Sequence, residues 1–465
     1  MVGMEWKAKT ATQDVPGKSA KMASKQLRVA IPSNLRIAEI LSPSPASLPA
    51  CAAYEQYLRL PELTKLWSDR EFTEWGNETV LKPALQALEI TFRFISSVMS
   101  DPRPYANRRE WKRRLELLAT DQVRIIAVLC EYGEEDPETS GTAPVVDLSS
   151  TNGVLMRDGS SKEVWKAPGE SPIVSRTSEA SLLPRLAEWQ KSEDIAQKIL
   201  YSIECEMRRC PYTLGIGEPN LSGKPNLEYD LICKPQELHR LRNTPMDHIQ
   251  NYENQTLCAT HQILESWIFV TKMLLNRISV KIDKEDFDRA SSDCWLLERV
   301  WRLLAEIEDL NLLLDPDDFL RLRSDLRIKA TDESEALCFR SKGLIDVMKC
   351  SKELKHKVPR ILGVEVDPTG GPRIQDAAMN LYRGKGRFEK IHLLQAMQAV
   401  EAAVKKFFYA YKQMVVMVFG SLEAKASSGS VDSLSQIFLE PTYFPSLDAA
   451  KTFLGDFWSH ESRRR

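Results

Sequence analysis

Apolar residues recur every three to four positions along most of the chain, which is the spacing of amphipathic helices. The pattern is clear over Leu81 to Met99. It returns after Asn107, a residue type that caps helix starts. We predict further helices at about 181–209, 246–279, 285–312, 316–327, 332–350 and 386–421. Alternation of β-branched residues with period two is almost absent, so the predicted fold class is all-α.

Composition divides the chain into three parts. Residues 1–50 are rich in Lys, Ser, Pro and Ala and are predicted to form a disordered tail. Residues 51–180 form a helical N-terminal region with a mobile insertion at about 134–178, where Gly, Ser, Thr and Pro dominate. Residues 181–465 are predicted to form one large helical bundle, because Pro and Gly mark the joints and no repeat period is present.

Charge and cysteine usage limit the possible partners and compartments. The 63 Lys and Arg residues nearly balance 65 Asp and Glu residues, so the net charge of −2 gives no general attraction for nucleic acid. The 9 cysteines follow no disulfide or zinc spacing. We find no signal-peptide pattern and no apolar stretch of membrane-spanning length. A soluble, cytoplasmic protein with reduced thiols is expected.

Common enzyme signatures are missing from the sequence. There is no phosphate-binding loop, no Cys-x-x-Cys pair and no His-Glu-x-x-His zinc motif. Leu214-Gly-Ile-Gly217 lacks the third glycine of a dinucleotide fingerprint. The basic run from Asn107 to Arg114 contains Trp111 and could hold phosphates or a stacked base. We favour a solvated or protein-docking face, because its cations fall opposite the apolar stripe.

Three helical positions are candidates for chemistry. His261 faces the apolar side of its helix, where it is either a hydrogen-bonded core residue with Glu265 as its predicted partner, or a group overhanging a pocket. Tyr411 is either a packing residue or a phenolate ligand for haem iron. Arg323 is either a surface charge, like its neighbours Arg321 and Arg327, or an inward guanidinium paired with a carboxylate.

The segments 54–63, 81–90 and 101–115 resemble the N-terminal region of the HSPRO family of nematode-resistance-like plant proteins. This resemblance covers nearly the whole chain. It implies a regulatory role in plant defence and stress signalling. It also implies contact with the βγ-type regulatory subunit of the plant energy-sensing kinase, which is related to the yeast sucrose-non-fermenting kinase.

The C-terminal half also resembles the haem-dependent tryptophan and indoleamine dioxygenases, which are all-α. The resemblance rests on His261-Gln262 at the distal histidine, on Leu322-Arg323 at the substrate-carboxylate arginine, and on Ser427-Ser-Gly429 and Thr442-Tyr-Phe-Pro445 near the end. Tyr54, Tyr57 and Leu58 resemble the residues that line the dioxygenase substrate pocket. The expected architecture is therefore a dioxygenase-like bundle with a helical N-terminal extension.

The sequence differs from the dioxygenases at the positions that would hold the haem iron. Tyr411 stands where the dioxygenases have their iron-binding proximal histidine, and the segment before Ser427 lacks their glycine-rich loop. Loss of the imidazole removes the usual axial bond to haem. We therefore expect a non-catalytic regulatory protein without a cofactor, whose relic pocket consists of Tyr54, Tyr57, Leu58, His261, Arg323 and Tyr411. The alternative is a haem enzyme with Tyr411 as axial ligand, or a binder of an indolic molecule in the same pocket.

Overall fold

The computed structural model describes residues 48–100, 105, 107–131, 143–146, 164–166, 172–175, 193–216, 223–242, 252–318, 321, 341–365, 373–384, 386–419 and 442–462. Helices make up most of these ranges, which confirms the all-α class predicted from the apolar spacing. In chain order the longer and shorter helices are α1 (Leu48–Tyr57), α2 (Leu60–Ser68), α3 (Glu78–Ser100), α4 (Arg108–Glu131), α5 (Glu193–Glu206), α6 (Tyr229–Cys233), α7 (Pro235–Arg240), α8 (Tyr252–Asp283), α9 (Phe287–Glu308), α10 (Lys342–Glu353), α11 (Val358–Leu362), α12 (Ile374–Gly384), α13 (Phe388–Phe419) and α14 (Pro445–Ser462).

Short strands occur only at a few places in the described residues, and most of them lie inside the predicted 134–178 insertion. They are β1 (Val145–Val146), β2 (Val164–Lys166), β3 (Pro172–Ser175) and β4 (Asn226–Leu227). β2 and β3 pair antiparallel, and β1 pairs antiparallel with β4 far along the chain. The insertion is therefore tied at β1 to the segment that leads into α6, while its predicted mobility stays a prediction.

Helix α8 lies at the centre of the packing. It packs against α3, α9 and α10, and α9 in turn packs along α13. Apolar residues are buried on several sides of α8, including Leu257, Ile263, Trp267 and Leu274, as expected for a helix surrounded by others. The described residues of the N-terminal region and of the C-terminal bundle belong to one compact unit, and their division into two domains stays a prediction.

The start of α4 has the cap and the buried apolar side that its sequence predicts. The backbone N–H of Glu110 donates to the side-chain oxygen of Asn107 at 3.3 Å, which is the predicted cap. Trp111 and Leu115 are buried, as are Leu118, Val123, Ile126 and Leu129. The predicted apolar stripe is therefore confirmed. Most of the predicted helix at 316–327 lies outside the described residues.

Two further observations concern helix length and the arrangement of metal-ligand side chains. Within the described ranges no helix combines the length and the apolar character needed to cross a bilayer. The same ranges contain no group of three or more His, Cys, Asp or Glu side chains arranged to hold a metal ion. Their cysteines are free thiols, and most of them are buried.

Candidate functional site

The end of α1 packs against α8, so residues about two hundred positions apart in the sequence are in contact. The Tyr54 hydroxyl donates to Glu265 Oε1 at 3.1 Å. The Leu58 carbonyl accepts from Gln262 Nε2 at 3.1 Å, and the Tyr57 carbonyl accepts from the Cys258 thiol at 3.9 Å. Tyr54, Tyr57 and Leu58 are all buried. Three of the predicted pocket residues are thus brought against the helix that carries His261.

His261 lies beside Tyr54 in the core. Their ring centroids are 6.0 Å apart and the rings meet nearly at right angles, at 87°, a favourable edge-to-face arrangement. His261 Nδ1 lies 2.9 Å from the Leu257 carbonyl one turn earlier, so this nitrogen is placed to donate. Burial lowers the pKa of His261 to about 4, so the imidazole is neutral at physiological pH.

Glu265 is hydrogen-bonded to Tyr54 and Ser341, and not to His261 as predicted. Its carboxyl accepts from the Tyr54 hydroxyl and is hydrogen-bonded by Ser341, the cap of α10. The expected pairing of Glu265 with His261 is therefore wrong, because His261 bonds its own helix and the carboxyl extends to α1 and α10. Burial raises the pKa of Glu265 to about 7, and the hydrogen bonds from Ser341 and Tyr54 act in the opposite direction.

A second buried carboxyl, Glu308, was missed in the sequence. It lies at the end of α9, where Asn311 Nδ2 donates to its Oε2 at 2.8 Å. Burial raises the pKa of Glu308 to about 8; the hydrogen bond from Asn311 acts against this, and the nearby charges of Asp309 and Glu265 add to it. The sequence pattern could have predicted the burial of Glu308, because this residue follows Trp301 and Leu304 at helical spacing and so falls on the apolar stripe of α9.

Tyr411 of α13 lies at the edge of the same group. It is near enough to Tyr54 to contribute to the raised pKa of that phenol, whose main cause is burial. The Tyr411 ring stacks on Phe407, with centroids 6.3 Å apart and 19° between the planes, and Phe407 packs on Trp301. Arg323 and the Ser427–Gly429 motif lie outside the described residues. We call Tyr54, His261, Glu265, Glu308, Ser341 and Tyr411 the buried cluster.

The buried cluster is poorly suited to haem. One face of the Tyr411 ring is stacked on Phe407. A haem would also bring two carboxylates of its own. The cluster already holds two carboxyls and two phenols, and none of its six side chains is an Arg or Lys that could neutralise them. The six side chains of the buried cluster therefore supply no cation for the carboxylates of a haem.

The predicted closing motif Thr442–Pro445 is held by a buried glutamate of α13. Glu401 Oε1 accepts from the backbone N–H of Tyr443 at 3.0 Å, and its Oε2 accepts from the Thr442 hydroxyl at 3.0 Å. Lys405 also donates to Glu401, at 2.7 Å. The motif thus fixes the start of α14 on α13, which is a structural role.

The basic run of α4 is largely neutralised by its own neighbours. Arg113 and Arg114 both bind Glu110, at 2.8 and 2.9 Å. This pairing holds the pKa of Glu110 near 2. Arg109 is exposed, and Lys112 reaches Asp194 only at 3.9 Å. A solvated face with local ion pairs is the better description, since little unpaired positive charge is left for phosphates.

Comparison with known proteins gives consistent matches over nearly the whole chain. The family model described as Hs1pro-1 N-terminus matches residues 1–204, and the one described as Hs1pro-1 protein C-terminus matches residues 207–460. The chain is 54% identical over 464 residues to the Arabidopsis thaliana protein named nematode resistance protein-like HSPRO2, covering 99% of this chain and 100% of that protein. It is also 54% identical over 448 residues to nematode resistance protein-like HSPRO1 from the same plant, covering 94% and 98%.

Proposed function

This chain belongs to the Hs1pro-1 (HSPRO) family, and from that premise we propose that it is a non-catalytic regulatory protein of plant defence and stress signalling. The names of its relatives support the defence role. Cytoplasmic location is part of the same proposal, and the composition of the chain supports it.

The proposal that the protein is non-catalytic is supported by the packing of the buried cluster. Tyr54 is hydrogen-bonded to Glu265 and lies against the His261 ring. Tyr411 is stacked on Phe407. A catalytic acid or base needs contact with a substrate atom, whereas these groups contact one another inside the core. The arrangement stabilises the junction of α1, α8 and α10.

We further propose that the descent of this bundle from a dioxygenase-like ancestor explains the cluster. The support is the place of Tyr54 beside His261, which matches the pairing that the resemblance implies. Superposition on a dioxygenase would test this. The helices bearing the distal and proximal histidines should fall on α8 and α13, with Tyr411 at the proximal histidine. A different chain order of those helices would contradict common descent.

The proposed partner is the βγ-type regulatory subunit of the plant energy-sensing kinase. The family resemblance supports this partner. A stripe on α13 offers a surface of suitable chemistry, because Tyr409 and Met417 are 56% and 63% exposed and lie two turns apart. Aromatic residues and Met are enriched in protein interfaces, where they supply buried contact area. We assign the contact to this stripe.

Calorimetric titration of the purified full chain with the purified βγ-type subunit tests the contact. The unaltered chain should bind, and the double variant Tyr409→Ser/Met417→Ser should bind at least about tenfold more weakly, as for loss of interface anchors. The control is Tyr201→Ser/Leu231→Ser, which changes two exposed apolar residues on α5 and α6. No binding by the unaltered chain would refute the partner, and equal weakening by both double variants would refute the stripe.

The alternative function is binding of an indolic molecule in the buried cluster. The convergence of Tyr54, His261 and Tyr411 favours it, because these are the residues expected to line such a pocket. Titration with indole distinguishes the two functions. Saturable binding that is lost in Tyr54→Phe would favour the ligand, and we expect none.

A further inference from the structure

A cavity of about 260 Å³ lies between α3, the end of α7 and the first turns of α8. None of the buried cluster's residues lines it. Its size is a little below the range of about 300–1,000 Å³ that is usual for pockets of drug-sized ligands. A smaller organic molecule would fit.

The charge of the cavity wall is positive. Arg93 and Arg242 both line the cavity, and none of the described residues in its wall is acidic. Arg93 is buried in α3, whereas Arg242 is exposed at the mouth. Two guanidinium groups in one small cavity favour an anion, because each presents several N–H donors and remains charged in proteins.

The neighbour of Arg93 neutralises it only in part. Arg93 Nε lies 3.4 Å from Glu89 Oε1, and its Nη2 also donates to the Pro235 carbonyl. Glu89 in turn accepts from the Tyr229 hydroxyl at 2.8 Å. Burial raises the pKa of Glu89 and so opposes its ionisation, while Arg93 and the hydrogen bond from Tyr229 act in the other direction. Burial thus works against full neutralisation of Arg93 by this carboxyl.

Free hydrogen-bond donors in the wall are concentrated on the arginines. The Ser97 hydroxyl donates to the Arg93 carbonyl, and the Ser100 hydroxyl donates to the Ser97 carbonyl. Both amide hydrogens of Gln262 go to the carbonyls of Leu58 and Leu241. Arg93 Nη1, by contrast, makes no hydrogen bond within the described part of the chain, and Arg242 makes one of 3.5 Å to Gln255.

Apolar side chains form a continuous part of the remaining wall, beside polar groups such as Tyr105 and Thr256, whose hydroxyls are hydrogen-bonded to each other at 2.9 Å. Ile90, Phe94, Leu238 and Ala259 line the cavity beside the two arginines. An inorganic anion would leave these apolar side chains exposed to water. A ligand with an apolar part would cover them, and burial of this apolar surface would add to the binding free energy. The ligand that matches both halves of the wall is amphipathic.

We propose that this cavity binds a small organic carboxylate, with its carboxylate between Arg93 and Arg242 and its apolar body against Phe94, Leu238 and Ala259. The site is separate from the buried cluster and from the α13 stripe. Ligand binding here would join α3, α7 and α8, because each supplies part of the wall. A carboxylate in the cell could in this way stabilise the junction between the N-terminal region and the bundle.

Calorimetric titration of the full chain with phenylacetate tests the site. Phenylacetate should bind with one-to-one stoichiometry, and the uncharged isostere phenylacetamide and the short anion acetate should each bind at least about tenfold more weakly. Hexanoate, which has an apolar chain and no ring, should also bind. Failure of both phenylacetate and hexanoate to bind at millimolar concentration would overturn the proposal. So would equal affinities for phenylacetate and phenylacetamide.

Variants identify the cavity as the place of binding. Arg242→Gln is suitable because Arg242 is exposed and its loss leaves no buried charge unpaired. We expect about tenfold weaker phenylacetate binding in Arg242→Gln and loss of binding in Ala259→Leu, whose side chain fills the cavity. Arg299→Gln on α9 removes an exposed arginine outside the cavity and should leave affinity unchanged. Unchanged binding in both Arg242→Gln and Ala259→Leu, with native circular dichroism, would overturn the site.

Discussion

Burial moves the pKa of four side chains in the cluster toward the neutral form: that of Tyr54 is raised above its usual value, and the other three shift within the range of ordinary titration. The pKa of Glu265 rises to about 7 and that of Glu308 to about 8, while the pKa of His261 falls to about 4. The main cause is the same in all four, because a buried charge loses the solvation that water would provide. The stability of the chain should therefore depend on pH in a way that these residues determine.

Glu308 gives a pH prediction with a definite sign. Its folded-state pKa lies above its unfolded value, so the folded state holds an extra proton between about pH 4.5 and 8 and loses stability as pH rises through that window. His261 acts in the opposite direction, but only below about pH 6.5. From pH 6.5 to 8, the free energy of unfolding of Glu308→Gln should fall less steeply than that of the unaltered chain, by up to about 1.4 kcal/mol per pH unit.

Urea titrations at several pH values measure this difference. Glu89 titrates in the same window, with a pKa of about 7, and remains in both proteins, so its contribution cancels in the comparison. Glu265 interacts with Glu308, so the measured difference belongs to these two carboxyls together. Glu237→Gln on α7 changes an exposed glutamate and serves as the control. Identical slopes for Glu308→Gln and the unaltered chain would show that Glu308 is not buried as described.

Leu264 and His261 lie on the same buried side of α8 and provide a second comparison. Both are at most 4% exposed. Leu264→Ala removes buried methyl groups and should lower the free energy of unfolding by about 2–5 kcal/mol. His261→Ala should lower the free energy of unfolding by less, because it also removes a polar ring from the core. Urea titration measures both, and an unchanged midpoint for Leu264→Ala would contradict the assigned face.

At the scale of helices, sequence patterns predicted which segments are helical and which sides are buried. The predicted helix at 386–421 is α13, Phe388–Phe419, and the predicted helix at 246–279 is α8, Tyr252–Asp283. Of the predicted helix at 181–209, α5 covers Glu193–Glu206, and residues 181–192 lie outside the described residues. Apolar periodicity identifies a helix more reliably than it identifies the residue where the helix starts.

Helix α10 depends on a cap that also belongs to the buried cluster. The Ser341 hydroxyl accepts from the Leu344 N–H at 2.9 Å and hydrogen-bonds Glu265. Ser341→Ala should therefore lower the free energy of unfolding by about 2–3 kcal/mol, the sum of a lost cap and a lost hydrogen bond in the core. Asn107→Ala, which removes the exposed cap of α4, should cost only about 1 kcal/mol. Equal losses in thermal or urea unfolding would contradict the link to Glu265.

At the scale of the whole molecule, the sequence indicated candidate residues but not their contacts. Tyr54 and Glu265 are separated by 211 positions, and no local pattern joins them. Their contact depends on how α1 returns to α8, which is decided by packing across the whole chain. For the same reason the cavity at Arg93 and Arg242 was not predicted, because its wall is assembled from three separate parts of the sequence.

The family assignment and the proposed function give one account of the molecule: a helical bundle of the HSPRO family whose buried cluster is filled with hydrogen-bonded side chains. Tyr54, Glu265 and Ser341 join α1, α8 and α10 there. Such a core can hold surfaces such as the α13 stripe in fixed positions, and fold alone does not imply the ancestral chemistry.

The visible absorption spectrum of the full chain, purified from cells supplied with haem, tests this account most directly. If Tyr411 is a packing residue stacked on Phe407, the protein should show no Soret band, and Tyr411→Phe should have the same spectrum. A Soret band in stoichiometric amount that disappears in Tyr411→Phe would show that the phenol binds iron, and it would contradict the account of a packed, non-catalytic centre.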